Sequence, residues 1–375
     1  MAMIHAHGQM LPARQRDVER VERDTRADAE TRAGPRPRRR WRRWRRWPYA
    51  PLGASLALAA LVAVTPLQAT LMQAVLLGPD SLFPVTSPAT IAIQRGRRTV
   101  VVPVRHGVVT NATLVSPALG GRRQSYLVYL PPGYSDPVNR ARRYPVLYLL
   151  HGAPGQPSDW TNGLHIQLVA DELIARGRLR PLIMVMPEGN GGVWHDSQYI
   201  NRFDGTFNAA TYIARDLVRV VDARYRTIAA RGGRAIAGIS EGGYGAMNLA
   251  LTHRATFGTA ISVSGYFRAN PGEVFGGNNP FGGNARLMLH NSPLAYAPTL
   301  RHGPRTNILL MDSTQDGGYV RDARRFAARL RQLGIPYTLR LRPAPNTLVA
   351  HYWPYFRQAA PHILTFAGDH FARHG

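Results

Sequence analysis

Five residues restrict this chain more than any others: Gly238-Ile239-Ser240-Glu241-Gly242. They sit between the apolar run RAIAGI (234–239) and the helix-like run GGYGAMNLALTH (242–253). The pattern is G-x-S-x-G, a strand that enters a helix through a glycine-flanked corner. So sharp a turn strains the residue at its apex and leaves room only for small neighbours. The corner lifts the Ser240 hydroxyl above the edge of a sheet. It also sets the next N–H, that of Glu241, at a helix N-terminus, where it can stabilise an oxyanion. The plainer alternative is a tight turn whose serine caps the helix.

The surroundings of the corner favour an α/β fold. SYLVYL (125–130), YPVLYLL (144–150), LIMVMP (182–187), TAISVSG (259–265), TNILLMD (306–312) and YTLRLR (337–342) read as strands. LHIQLVADELIARG (164–177), AATYIARDLVRVVDARY (209–225) and VRDARRFAARLRQLG (320–334) have helical spacing. Alternation of this kind, with apolar strands, predicts a mostly parallel central sheet with helices on both faces. The Gly-, Asn- and Pro-rich stretch 269–287 is expected to be a long loop, over the site or merely on the surface.

A serine hydroxyl is a poor nucleophile until a base takes its proton. On a corner of this type the partners follow in the order acid, then histidine. Among the downstream histidines, His253 lies within the helix after the corner, and His370 and His374 lie at the C-terminus, where no third metal ligand is apparent. His351 follows the last strand, after the loop PAPNTLVA, and precedes an aromatic helix, which is the position a base requires. NILLMDSTQDGG offers two acids to orient it: Asp312 at the strand end and Asp316 on the loop beyond. The loop residue has the longer reach, so Asp316 is preferred, with Asp312 able to cap the strand. A second oxyanion donor is expected from LLHGAPG (149–155). Pro154 has no N–H, which leaves Ala153, with His151 shaping the loop. No cofactor and no metal site is expected.

Composition excludes other chemistries. There is no Cys among the 375 residues and all 47 basic residues are Arg, so thiol nucleophiles, disulfides, Schiff bases and lysine bases are ruled out. Part of the net charge of +25 is concentrated in RPRRRWRRWRR (36–46). A nucleic-acid arm is one reading of that run. The uncharged stretch from Trp47 to Pro79 that follows it argues instead for one N-terminal transmembrane helix, with arginines on the cytoplasmic side and tryptophans at the interface. A cleaved signal peptide is the rival, although no good small-x-small site follows. The expected organisation is an Arg-rich tail (1–47), disordered over its polar first part, an anchor (48–79), a linker (80–107) and an enzyme domain (108–375) outside the cytoplasm. Membrane contact through the anchor is expected, and nucleic acid is not.

YLPPGY, YPVLYLLHGAPG, VMPEG, YIARDLVRVVDARYRT, RAIAGISEGGYGAMNLAL and HYWPYF, in this order, resemble the Putative esterase family of α/β-hydrolases. That family includes S-formylglutathione hydrolases, enterochelin esterases and mycolyltransferases. The resemblance implies an α/β-hydrolase fold acting on a small-molecule or lipid ester. It implies Ser240 as nucleophile, Asp316 as acid, His351 as base, and the N–H groups of Ala153 and Glu241 as oxyanion donors. Where many relatives carry Met after the serine, this chain has Glu241. That carboxylate is expected to raise the pKa of the histidine or to point outward into a salt bridge with an Arg. Asn190, Trp194 and Asp196 fall where relatives often line the site. Two alternatives stay open: acyl transfer to a cell-envelope sugar or glycolipid, and an inactive hydrolase scaffold that binds a partner.

Overall fold

The computed structural model describes residues 88–96, 98–192, 196–270, 279–345 and 350–371. The tail and the anchor expected over 48–79 lie outside them. Among the described residues no helix is long and apolar enough to cross a membrane.

An eight-stranded sheet forms the centre. Its strands are β3 (Val108–Ser116), β4 (Arg122–Leu130), β5 (Val146–Leu150), β6 (Ile183–Pro187), β7 (Arg234–Ile239), β8 (Thr259–Val263), β9 (Asn307–Ser313) and β10 (Thr338–Arg342). The spatial order is β3-β4-β6-β5-β7-β8-β9-β10. From β6 to β10 all pairings are parallel, while β4 runs antiparallel to both β3 and β6. A separate antiparallel hairpin, β1 (Thr90–Arg95) and β2 (Arg98–Pro103), occupies part of the stretch expected to be a linker.

The central strands are mostly apolar because both of their faces are covered. β5, β6, β7 and β8 are buried at every position. Successive side chains go to opposite faces, so the run Val146–Leu150 feeds two cores. Val146, Tyr148 and Leu150 join one with Ile236, Ile308 and Leu310; Leu147 and Leu149 join the other with Ala235, Ala237 and Leu309.

The helices divide accordingly. The first core is closed by α2 (Val218–Arg224), α3 (Glu241–Thr252) and α4 (Gly317–Gln332). The second is closed by α1 (Ile166–Ala175) and α5 (Trp353–His370). Their buried residues recur at helical intervals, as in α4, where Val320, Ala323, Ala327 and Leu330 face inward. The helix predicted over 209–225 begins as a short turn, Ala209–Thr211, and passes through a wider π stretch, Tyr212–Leu217, before α2. The loop expected over 269–287 ends in a short helix, Ala285–His290, capped by the Asn284 side chain, which accepts from the Leu287 N–H.

The parallel strands therefore deliver their C-terminal ends to one edge of the sheet. In open α/β sheets that edge is where a crevice forms for ligands. Ala153 follows β5, Asp196 follows β6, Ser240 follows β7, Arg268 follows β8, Asp316 follows β9 and His351 follows β10.

Candidate active site

Ser240 is held in a backbone conformation that L-residues rarely adopt, with φ 55° and ψ −122°. Its N–H donates to the Val263 carbonyl at 2.9 Å, tying the corner to β8, and its own carbonyl accepts from the Tyr244 N–H at 3.1 Å as α3 begins. The two flanking glycines are required by space. A Cβ on Gly238 would lie 1.9 Å from the Gly242 carbonyl oxygen, and one on Gly242 would lie 2.3 Å from the Leu150 carbonyl oxygen. Neither contact is physically open to a side chain, so the close approach of β7, α3 and β5 depends on both positions lacking one.

The side chains expected around Ser240 come together. His351 Nε2 is 2.9 Å from Ser240 Oγ, and His351 Nδ1 is 2.8 Å from Asp316 Oδ2. An ionised carboxylate can only accept, so Nδ1 carries the proton and Nε2 accepts from the serine hydroxyl. Asp316 is buried. Burial alone would raise its pKa, but the hydrogen bond and charge of His351 hold its carboxyl below the usual carboxylate range. Phe356 meets the imidazole edge-on, with ring centroids 5.5 Å apart.

Asp312 takes a different place. It is the penultimate residue of β9, fully buried, and accepts from the Ser264 hydroxyl at 3.2 Å. Burial first, and then the nearby charge of Asp316, push its carboxyl up to about 9. At neutral pH it is therefore a protonated group behind the carboxylate that meets the histidine.

A cavity of about 410 Å³ opens beside the serine, and Ala153 and Glu241 line it together with Ser240. Glu241 is the first residue of α3, where N–H groups have no acceptor within the helix. Residue 152 packs against the serine: a Cβ there would be 3.3 Å from Ser240 Cβ, which brings the start of the Ala153 loop alongside the hydroxyl. His151 is buried within that loop and its Nδ1–H donates to the Gly152 carbonyl at 2.8 Å.

The Glu241 side chain does not point outward into a salt bridge: among the described residues no arginine pairs with it. It is buried, with Oε2 accepting from Asn190 Nδ2 at 3.4 Å. Burial and then the negative charge of Asp196 raise its pKa well above the usual carboxylate value. Asp196 is itself buried, lines the cavity and is raised by burial. The physical reason is packing: the first turn of α3 faces the loop after β6, not solvent. Asn190 is fixed by Ser197, whose hydroxyl donates to Asn190 Oδ1 at 2.8 Å. Trp194 lies outside the described residues.

Tyr319 was not among the residues singled out in the sequence. Its ring stacks on His351 with centroids 4.1 Å apart and planes 23° from parallel. Burial raises its phenol, and a hydrogen bond with Ser240 opposes that shift. The available signal was its place three residues after Asp316, at the start of α4.

A model of the Putative esterase family matches residues 116–366, well over half of the chain. The endo-1,4-beta-xylanase/feruloyl esterase of Xylanibacter ruminicola is 33% identical over 166 residues, which is 43% of this chain and 22% of that protein. An esterase of Mycobacterium tuberculosis is 36% identical over 138 residues, 37% of this chain and 28% of that protein. The matches thus span well under half the length of these curated relatives. A solved ferulic acid esterase has a TM-score of 0.60 at 25% identity, covering 71% of this chain and 100% of that one. The family match, over residues 116–366, takes in Ser240, Asp316 and His351, and on it the chain belongs to the Putative esterase family, with a fold of the α/β-hydrolase type that the similar structure shares.

Proposed function

We propose that this chain is a serine carboxylic-ester hydrolase in which Ser240, His351 and Asp316 act as nucleophile, base and orienting acid. The observation that supports the reading is the hydrogen-bonded line from Ser240 Oγ through the His351 ring to Asp316, at 2.9 and 2.8 Å. Ser240 Oγ bonds to the ester carbonyl carbon as its proton passes to His351 Nε2. The carbonyl oxygen becomes an oxyanion facing the N–H groups of Ala153 and Glu241. Loss of one such donor typically costs about 10²–10³ in rate. The C–O bond to the alcohol then breaks, His351 returns the proton to the departing oxygen, and water repeats the sequence in reverse to release the acid. Asp316 holds the Nδ1–H tautomer and stabilises the imidazolium without taking the proton itself.

The esterases among its relatives fit a small-molecule ester as substrate. The Arg-rich run and the uncharged stretch from Trp47 to Pro79 support an enzyme anchored by its N-terminus, with the hydrolase domain outside the cytoplasm.

The test is turnover of p-nitrophenyl acetate by the purified chain and its Ser240→Ala variant. Turnover falls on the order of 10⁶-fold in the variant, to the background of a site lacking its nucleophile. The circular dichroism spectrum is unchanged, and a fluorophosphonate probe labels only the wild type. Full activity in the variant refutes the assignment.

A further inference from the structure

The cavity beside Ser240 has two ends of opposite character. Its deep side carries the buried carboxyls of Asp196 and Glu241. Its outer side carries Arg268, Arg321 and Arg325. Arg268 comes from the segment after β8. Arg321 and Arg325 stand one turn apart on α4, so their side chains project from the same face of the helix.

This arrangement carries a cost that packing does not return. Arg321 and Arg325 are the fifth and ninth of the sixteen residues of α4, and they bring two like charges together at i, i+4. Like charges at this spacing disfavour a helix. Asp322 is the one acid in the group: it lies 3.8 Å from Arg325, and burial raises its carboxyl in spite of the opposing charges of Arg325, Arg268 and Arg321. One carboxylate among three guanidinium groups leaves an excess of positive charge at the mouth of the cavity. Among the described residues, no hydrogen bond or ion pair engages Arg268 or Arg321. Glu273, in the neighbouring loop, lies outside the described residues.

We infer that the ester taken at this site carries an anionic group, a carboxylate or phosphate, held by Arg268, Arg321 and Arg325 while its carbonyl lies at Ser240. The inference rests on the reading of Ser240 as nucleophile. Planar guanidinium forks match carboxylate and phosphate oxygens two at a time, which a scattered surface charge does not. The deep side offers carboxyls and no cationic group, so the guanidinium groups assign an anion to the outer side. The charge can sit on either part of the ester, because the arginines flank the cavity and leave both parts of a bound ester within it.

Two matched pairs of esters separate these cases in the full-length protein. On the acyl side, p-nitrophenyl hemiglutarate is compared with p-nitrophenyl pentanoate. On the alcohol side, 4-acetoxybenzoate is compared with its methyl ester. For at least one pair, kcat/KM of the charged ester exceeds that of the neutral one by about tenfold or more, the scale of a hydrogen bond to a charged group. That ratio shrinks with added salt and falls towards one in the combined Arg268→Gln, Arg321→Gln, Arg325→Gln variant. Cleavage of the neutral esters with no preference in either pair, or a preference unchanged in the variant, overturns the inference and leaves the role of Ser240 standing. If none of the four esters is cleaved, the reading of Ser240 falls and the inference falls with it.

Discussion

Two aspartates four residues apart have opposite electrostatics, and the difference lies in their partners. Asp316 meets an imidazole N–H and stays ionised; Asp312 meets a serine hydroxyl and another carboxylate in a buried strand. The second case has a consequence for stability. Between the ordinary carboxylate value and about 9, native Asp312 holds a proton that the unfolded chain has released. Where the native state binds more protons, stability falls as pH rises, and this loss ends above that upper value. Asp312→Asn removes the titration while keeping the shape. The melting temperature of the variant minus that of the wild type should therefore increase from pH 5 to pH 8.5, read by differential scanning fluorimetry at matched ionic strength. A difference that stays flat with pH would mean that Asp312 titrates as it does in the unfolded chain.

At the scale of elements, the corner between β7 and α3 is where backbone strain and close packing coincide. Ser240 retains its left-handed φ only because its neighbours are fixed: β5 and α3 meet at Gly242 with no space for a methyl group. Gly242→Ala forces the Leu150 and His151 carbonyls away from α3. The expected cost is about 1–3 kcal/mol in urea denaturation, as for overpacking elsewhere. Because the same displacement moves the serine relative to His351, kcat should fall in parallel, even at temperatures where the variant is fully folded. A variant of unchanged stability and kcat would show that the corner tolerates a side chain after all.

Across the whole molecule, α1 is joined to the antiparallel end of the sheet by one buried carboxylate. Asp171 Oδ1 accepts from the Tyr129 hydroxyl at 2.6 Å and from the Gly107 N–H at 3.0 Å, and Oδ2 lies 3.2 Å from His106 Nδ1. These bonds tie the segment before β3, strand β4 and helix α1 together, and none of the residues lines the cavity at Ser240. Asp171→Ala leaves the buried Tyr129 hydroxyl without an acceptor, at about 1–3 kcal/mol, and also removes the acceptor of the half-buried Gly107 N–H. The denaturation midpoint should drop accordingly, while kcat measured well below that midpoint remains at the wild-type value. A matching loss of kcat would instead couple this end of the sheet to the site.

The corner, the central strands and the order serine, acid, histidine were legible in the residues themselves. β7 runs over 234–239 as read, because an apolar run bounded by glycines depends on neighbours only a few positions away. β3 and the hairpin β1–β2 were not read, since they sit at an edge or apart from the main sheet and are largely exposed, with no clean alternation of apolar residues. Tertiary structure alone decided that the Glu241 carboxyl turns inward to Asn190, that Tyr319 stacks on His351, and that Arg268 converges with Arg321 and Arg325. Backbone sterics and hydrophobic period act within a few residues, so they are written locally. The partner of a side chain is set by which strand ends share an edge of the sheet, as when Ser240 meets a histidine 111 positions away.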